Sequence, residues 1–573
     1  MTSSTPRSRP RRRRHAIADP RRFAPIAATA LVALIAGVAL GAGHVPAERK
    51  TATAFADAWS RGDEKAMYAL LSDDAKQRTS EARLQRTYEQ AADILTLTKV
   101  RTGRVVDDTT VPIALDTRLF GTLRGTLVLP MGDRKDAGPG VDWRAELVYP
   151  GLRRGEKLRR ETSLPPRGTI EARDGTPLAK GPDRLSDLGP LASEIAGTVG
   201  PAPPARASEL AARGVPKGAA VGLTGLEREF DERLTGTPGG ILFAGKRVLA
   251  SVRAKQGEAV RTSIDTKIQR AAVDALAGRY GGIAVVSPQT GEVLALAGIA
   301  SSAPQPPGST FKIVTLAGVL QNKVAKRSAT FQYQNAATIE GVEVQNANGE
   351  SCGGSLELSF AHSCNSVFAP LGAKLGAEKL VATAQKFGFN EDPLIAGAAR
   401  STIPAAGEIG DDLAVGSSAI GQGKVLATPL QMALVAATIG ADGMRPKPTL
   451  LKGADPERVR ATSTSVARTI KSYMRTVVTD GTGGAAALPG IKVSGKTGTA
   501  ELRTTVKEEP APELADPNAP PPEDDTTDTD AWFVAFAPYS KPSVAVAVML
   551  VGQGTGGDTA APAAGAVLKA ALD

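Results

Sequence analysis

The sequence of 573 residues is poor in cysteine and in long apolar runs. It has two cysteines, Cys352 and Cys364, which cannot build a disulfide framework but can form one local bridge. Only residues 23–43 form an uncharged apolar run long enough to cross a membrane, since a span needs about 20 apolar residues. No second run of that length follows, and no internal repeat is present. These absences exclude a disulfide-stapled scaffold and a protein with several membrane spans.

The net positive charge is also small once the N-terminus is set aside. Residues 1–22 carry eight arginines against a single acid, Asp19, so they account for +7 of the net charge of +10. The small remaining excess argues against a basic face for nucleic acid. Arginines before an apolar run keep that end in the cytoplasm. We therefore expect a cytoplasmic tail over 1–22, a single-pass anchor in the cell membrane over 23–43 and an extracellular remainder; a cleaved signal peptide is the alternative.

The length predicts several domains, and residues 47–160 have the pattern of a small α+β domain. Apolar residues at helical spacing lie on both sides of an Arg-Gly-Asp break at 61–63. Strand-like segments follow at 104–119, 121–131 and 141–150, separated by polar turns. No cluster of catalytic residues lies in this part of the sequence.

Two further domains are predicted. Residues 163–259 are polar, irregular and rich in turn residues, which is typical of an extended pedestal rather than of a core. Residues 260–573 have strand-like segments at both ends and helical segments between them, which predicts a mixed α/β sheet with an inserted helical part. Within them, residues 503–530 are acidic and proline-rich, so we expect a flexible insertion.

One stretch, PPGSTFKIVTLAGVL at residues 306–320, places a serine and a lysine in an otherwise apolar segment. Ser309 and Lys312 are three positions apart, so on a helix they share one face. The prolines favour extended backbone before a helix that begins near Gly308, and Ser309 then lies where the helix dipole favours negative charge. Burial lowers the pKa of a lysine. Lys312 can then act as the base that activates Ser309 as a nucleophile.

Two later motifs strengthen this interpretation, which the first pair alone does not establish. They are Ser363 and Asn365 in AHSCNSVF, and Lys496, Thr497, Gly498 and Thr499 in VSGKTGTAE. A Ser-x-Asn turn can relay a proton and hold a substrate amide. A glycine on a strand lets a substrate backbone lie close, while Lys496 and Thr499 can hold a carboxylate. Taken singly, Asn365 also fits a helix cap and Lys496 an edge-strand charge.

In this order the three motifs resemble those of penicillin-recognising serine acyltransferases. The chain resembles a class B penicillin-binding protein, which is a monofunctional peptidoglycan transpeptidase. RGTIEARDGTPLA is similar to the start of that family's pedestal, or dimerisation, domain, and VRTSIDTKIQRAAVDAL, SSAIGQGKVLATPLQMALVAATIGADG and AWFVAFAP are similar to transpeptidase segments. Residues 47–160 resemble the cone-like N-terminal domain of methicillin-resistance-type members. No glycosyltransferase domain precedes the pedestal, so a bifunctional class A protein is not expected.

The resemblance implies a D,D-transpeptidase with a serine acyl-enzyme. Ser309 would attack the penultimate D-alanine carbonyl of a peptidoglycan stem peptide, and an acceptor amine would then attack the acyl group. The backbone N–H groups of Ser309 and Thr499 would form the oxyanion hole. β-Lactams mimic the D-alanyl-D-alanine end and would acylate the same serine. No metal or organic cofactor is implied.

Alternatives remain open from the sequence alone. A D,D-carboxypeptidase or a serine β-lactamase would use water as the acceptor, and a catalytically idle scaffold or β-lactam sensor would use none. The cysteines are also ambiguous. Because Cys364 is the middle residue of the Ser-x-Asn motif, a bridge to Cys352 would tether that motif, whereas two free thiols would simply pack as small apolar groups.

Overall fold

The computed structural model describes residues 45–135, 137–501 and 529–573. They form two compact units, one of residues up to Glu161 together with Gly240–Val252, and one of Thr162–Gly239 and Arg253–Asp573. None of the helices in these described ranges is long and apolar enough to cross a membrane. The expected tail over 1–22 and anchor over 23–43 lie outside the described residues.

The secondary structure follows the chain in this order. The helices are α1 Ala47–Arg61, α2 Glu64–Ala69, α3 Asp73–Arg78, α4 Glu81–Leu95, α5 Pro190–Ala196, α6 Ala207–Ala212, α7 Gly225–Glu229, α8 Asp231–Thr235, α9 Thr266–Leu276, α10 Lys312–Gln321, α11 Leu356–Ala361, α12 Asn365–Leu375, α13 Ala377–Lys386, α14 Ala406–Ile409, α15 Asp412–Ala419, α16 Pro429–Gly440, α17 Thr464–Asp480 and α18 Ala561–Leu572. The strands are β1 Leu97–Thr102, β2 Thr110–Thr117, β3 Gly121–Val128, β4 Met131–Arg134, β5 Gly138–Val141, β6 Leu158–Ser163, β7 Ile170–Glu171, β8 Pro177–Ala179, β9 Val199–Pro201, β10 Ala220–Gly222, β11 Gly239–Ala244, β12 Arg247–Val252, β13 Val260–Arg261, β14 Gly281–Val286, β15 Val293–Gly298, β16 Thr330–Gln334, β17 Ala336–Ile339, β18 Val342–Gln345, β19 Cys352–Ser355, β20 Met444–Pro446, β21 Arg458–Arg460, β22 Ser494–Glu501, β23 Thr529–Ala537 and β24 Val544–Leu550.

The first unit contains the α+β segment expected over 47–160 and also Gly240–Val252, which the sequence analysis assigned to the pedestal. Helices α1 and α2 meet at the expected break, where Gly62 ends α1 in a left-handed conformation and Asp63 caps α2. Strands β1, β2 and β3 form an antiparallel sheet. The strand predicted over 141–150 is wrong beyond Val141, because Ala145–Val148 is a 3-10 turn. Apolar residues there occur in succession rather than in alternation, and a turn buries Leu147 and Val148 together.

The pedestal part of the second unit is built around buried charges. Arg167 and Arg184 each pair with Glu227, and Arg167 and Arg206 each pair with Asp231. Both acids are almost fully buried. Buried carboxylates are tolerated only when they are paired and hydrogen-bonded, so removing one partner would destabilise this part of the chain strongly.

The C-terminal part contains a five-stranded sheet in the order β15-β14-β24-β23-β22. All neighbouring pairs are antiparallel, so the expectation of a mixed sheet is wrong in that respect. The reason is that short hairpin connections join β14 to β15 and β23 to β24, and such connections reverse the chain. Helices α9 and α18 cover one face and α16 the other. Strand β23 begins at Thr529, so the last two residues of the predicted insertion 503–530 are in a strand; the rest lies outside the described residues.

The helical part is inserted between β15 and β22, as predicted. Its central helix is α10, in which every residue from Lys312 to Val319 is buried. Helices α12, α13 and α17 pack around it. A helix buried on all sides holds its first residues in a fixed position, and these residues carry the Ser-x-x-Lys motif.

Candidate active site

The turn that carries Ser309 is held by close backbone contacts. Ser309 is half-buried in a 3-10 turn, Gly308–Phe311, immediately before α10. Gly308 has φ of +50°, and its N–H donates to the Gly421 carbonyl at 3.0 Å. A Cβ on Gly421 would lie 2.0 Å from the Gly308 carbonyl oxygen, and one on Gly308 would lie 2.5 Å from that of Thr499. Only glycine fits at either position, which brings Ser309 against strand β22.

Lys312 is the first residue of α10, and its side chain is completely buried. Its Nζ lies 2.9 Å from Ser309 Oγ. It also lies 2.6 Å from the Ser363 carbonyl oxygen and 2.6 Å from Asn365 Oδ1, with Ser363 Oγ at 3.3 Å. The structure therefore brings the Ser-x-x-Lys and Ser-x-Asn motifs into direct contact around one nitrogen.

These contacts suit a neutral amine. Four oxygen atoms surround Lys312 Nζ, and two of them, the Ser363 carbonyl and Asn365 Oδ1, can only accept. A neutral amine can donate to the Ser363 carbonyl and to Asn365 Oδ1 and can accept the Ser309 hydroxyl hydrogen. Burial lowers the pKa of Lys312 well below its usual range, and the positive charge of Lys496 lowers it further.

Ser363 lies between the two buried lysines. Lys496 Nζ donates to Ser363 Oγ at 2.8 Å and to the Thr497 carbonyl at 2.9 Å. Ser363 has φ of +62°, a left-handed conformation that is uncommon for serine. Lys496 is on the edge strand β22, but it is completely buried, so the interpretation as an exposed edge-strand charge is wrong. Burial lowers the pKa of Lys496 to about 7.

Asn365 begins α12, yet its side chain does not cap that helix. Its Oδ1 accepts from Lys312 Nζ, and its Nδ2 donates to the carbonyl of Gln345 at 2.9 Å. These two contacts fix the orientation of the carboxamide, because a flipped amide would place its NH₂ against the lysine nitrogen. The helix-cap interpretation of Asn365 is therefore wrong.

Strand β22 positions the remaining predicted residues. Thr499 Oγ1 accepts from the Gly556 N–H at 3.4 Å. A Cβ on Gly498 would lie 2.9 Å from the Pro307 carbonyl oxygen and 2.9 Å from Thr310 Cγ2. Gly498 thus allows the serine-bearing turn to pack against β22, a reason for glycine that the sequence analysis did not foresee.

Cys352 and Cys364 are joined in a disulfide bond. Cys352 begins β19, and Cys364 lies between Ser363 and Asn365 and is completely buried. The bond ties the Ser-x-Asn turn to the antiparallel pair β16–β19. None of the described residues forms a cluster of three histidine, cysteine or acidic side chains that could hold a metal ion.

Thr482 also belongs to this site, although the sequence analysis did not select it. Its Oγ1 lies 2.5 Å from Thr497 Oγ1, and its N–H donates to the Ala361 carbonyl at 3.3 Å. Thr482 therefore links β22 to the end of α11, two residues before Ser363. The signal that could have found it is the Gly-Thr-Gly-Gly turn at 481–484, directly after α17.

Comparisons with known proteins identify three domains along the chain. Residues 281–569 match the family described as penicillin binding protein transpeptidase domain. Residues 47–156 match the NTF2-like N-terminal transpeptidase domain, and residues 178–258 match the penicillin-binding protein dimerisation domain. The chain is thus a multidomain α+β protein with an N-terminal, a dimerisation and a transpeptidase domain in this order.

Two similar proteins come from mycobacteria. Peptidoglycan D,D-transpeptidase PbpA of Mycolicibacterium smegmatis is 34% identical, over 61% of this chain and 79% of its own length. PbpA of Mycobacterium tuberculosis is 33% identical over the same shares. The structure of penicillin-binding protein A from M. tuberculosis as a penicillin G acyl-enzyme complex superposes with a TM-score of 0.56 at 26% identity, covering 71% of this chain and all of that one. With half of its sequence matched by the transpeptidase domain, this chain belongs to the penicillin-binding protein transpeptidase family.

Proposed function

We propose that this chain is a peptidoglycan D,D-transpeptidase in which Ser309 is the nucleophile and Lys312 the base. The activity is the one named for the two mycobacterial relatives. The observation that carries the residue assignment is the position of Lys312 Nζ, completely buried and 2.9 Å from Ser309 Oγ. A buried amine with a depressed pKa is free to accept the serine proton.

Acylation begins when Ser309 Oγ bonds to the penultimate D-alanine carbonyl carbon of a donor stem peptide. Lys312 Nζ takes the hydroxyl proton as this bond forms, so no positive charge remains on Ser309 Oγ. Negative charge develops on the carbonyl oxygen and is stabilised by backbone N–H groups, for which those of Ser309 and Thr499 are the candidates. Collapse of this intermediate breaks the peptide bond and releases D-alanine.

The leaving amine needs a proton, and Ser363 is placed to deliver it. Its Oγ lies 3.3 Å from Lys312 Nζ and 2.8 Å from Lys496 Nζ. A hydroxyl both donates and accepts, so Ser363 can pass a proton from a protonated lysine to the departing nitrogen. Lys312 then returns to its neutral form and can take a proton from the acceptor amine in the second half-reaction.

Substrate binding is assigned to the same strand. Lys496, with Thr497 and Thr499, would hold the terminal carboxylate of the donor, because a cation and two hydroxyls satisfy a carboxylate. The backbone of β22 at Gly498 is the proposed place for the substrate backbone, and Asn365 can contact the substrate amide. β-Lactams present the same carboxylate beside a reactive carbonyl, so they acylate Ser309 and occupy the site.

We also propose the arrangement around the membrane. The tail over 1–22 lies in the cytoplasm, residues 23–43 anchor the chain in the cell membrane, and the domains over 47–160, 163–259 and 260–573, the last with its insertion 503–530, lie outside the cell. The support is the arginine-rich tail followed by one uncharged apolar run. Stem peptides and β-lactams are the proposed binding partners.

The function is tested on a defined lipid-linked peptidoglycan substrate. Incubation with the purified protein should release D-alanine and yield cross-linked dimers, and Ser309→Ala should abolish both. Release of D-alanine without dimers would mean that water is the acceptor, as in a carboxypeptidase. Absence of both products together with full labelling by a fluorescent penicillin would favour a sensor or scaffold.

A further inference from the structure

The segment that follows strand β18 contains a buried polar side chain with no part in the reaction described above. Asn346 is 6% exposed, whereas its neighbours Gln345 and residues 347–351 are all exposed. A buried polar group must be hydrogen-bonded to be tolerated. The hydrogen-bond partners of Asn346 therefore indicate which parts of the structure it holds together.

All the hydrogen-bonding groups of the Asn346 amide are used. Its Nδ2 donates to the carbonyls of Gln334 at 2.8 Å and Glu350 at 2.9 Å, which closes the segment between β16 and β19. Its Oδ1 accepts from the backbone N–H of Ser366 at 2.8 Å. Ser366 is the second residue of α12, the helix that begins with the catalytic candidate Asn365.

This last contact supplies a cap that α12 lacks locally. The first N–H groups of a helix have no partner within the helix and are usually capped by the preceding Ser, Thr, Asp or Asn. The residue at that position is Cys364, which is held in a disulfide and makes no side-chain cap. The oxygen of Asn346 takes its place from a distant part of the sequence.

The same contact brings the neighbouring carbonyl into position. Because Asn346 is fixed against Ser366, the carbonyl of Gln345 accepts from Asn365 Nδ2 at 2.9 Å. That hydrogen bond directs Asn365 Oδ1 toward Lys312 Nζ. Without it the Asn365 amide could rotate, and Lys312 would lose one of the acceptors that hold its nitrogen beside Ser309 Oγ.

We infer that Asn346 is a positioning residue for the acylation reaction: it caps α12 from outside the helix and thereby orients the Asn365 carboxamide toward Lys312. The inference rests on the proposed function, since it assigns a task to the same site. Asn346 touches neither Ser309 nor Lys312, so its removal should lower the rate of the chemical step rather than the binding of the β-lactam. A misplacement of about 1 Å in such a site can cost about 10² in rate.

The test measures acylation by a fluorescent penicillin as a function of its concentration. Asn346→Ala should lower the maximal acylation rate about 10- to 100-fold and leave the half-saturating concentration within about twofold of the wild type. Asn335→Ala is the matched control, since Asn335 lies between β16 and β17, beside this segment, and donates to the Gly349 carbonyl without touching α12. It should retain the wild-type rate.

A second variant separates capping from simple support of the segment. Asn346→Asp keeps the oxygen that accepts from Ser366 and loses both donated hydrogen bonds, so it should retain more of the maximal rate than Asn346→Ala. An Asp variant as slow as the Ala variant, or an Ala variant with a normal maximal rate, would overturn the inference. Circular dichroism melting identifies a variant that is merely unfolded, and wild-type acylation at Ser309 tests the proposed function independently.

Discussion

Removing the charge of Lys496 should move the pH dependence of acylation to higher pH. Lys496 and Lys312 both contact Ser363 Oγ, at 2.8 and 3.3 Å, so their nitrogens are at most about 6 Å apart. At an effective dielectric constant of about 20, two unit charges at that distance repel by about 3 kcal/mol. This repulsion disfavours the protonated form of Lys312 in the wild type and so lowers its pKa.

The direction of the shift follows from the effect of the Lys496 charge on the pKa of Lys312. Burial lowers the pKa of Lys312 well below its usual range, and the positive charge of Lys496 is the second cause of that lowering. Burial of Lys496 itself lowers its pKa to about 7. In Lys496→Met the repulsion is gone, the pKa of Lys312 rises, and a smaller fraction of it is neutral at a given pH below the new pKa.

The assay is the acylation rate with a fluorescent penicillin measured from about pH 5 to about pH 9. The midpoint of the acid limb should move to higher pH in Lys496→Met, in addition to a lower rate at every pH. Lys471→Met is the matched control, because Lys471 is also buried but contacts the rings of Phe536 and Tyr539 instead of the motifs. A midpoint that stays in place or falls in Lys496→Met would refute the reasoning.

Three further predictions concern the base, the disulfide and a buried acid. Lys312→Arg keeps the charge but cannot give up its proton, so acylation should fall by about 10² to 10⁴; a near-normal rate would exclude Lys312 as the base. Replacing Cys352 and Cys364 by alanine should lower the free energy of unfolding by roughly 3 kcal/mol in denaturant titrations, and two free thiols in the unreduced, exported wild type would rule out the bond. Burial raises the pKa of Asp530 to about 6, so the stability it contributes is present below the pKa of an unfolded aspartate and lost as the pH rises through about 6. Asp530→Asn should therefore stabilise the fold relative to the wild type by up to about 3 kcal/mol more at pH 8 than at pH 4, and an equal difference at both pH values would contradict this.

The site could be predicted from the sequence where its signals are local. Ser309 and Lys312 share one helical turn, and the apolar residues after them indicate burial directly. The contact of Lys312 with Asn365 is not local, and it could be expected only because three motifs resemble those of one family. The acylation chemistry thus followed from short patterns, whereas the distances that support it required the fold.

Other parts could not be predicted because the determining contacts are distant in sequence. Asn346 acts through Ser366, 20 positions away, and a single asparagine in a polar segment gives no signal of burial. Thr482 reaches Thr497 from a turn after α17. The order of strands in the sheet likewise depends on which strand pairs with β14. That strand is β24, which is buried along its whole length.

The central claim is that Ser309 is the residue that becomes acylated, and intact-mass measurement after treatment with penicillin G tests it most directly. The account predicts a single adduct of the mass of the drug, located by peptide mapping on the peptide that contains Ser309 and absent from Ser309→Ala. An adduct that persists in Ser309→Ala, or one that maps to another residue of the wild type, would contradict it.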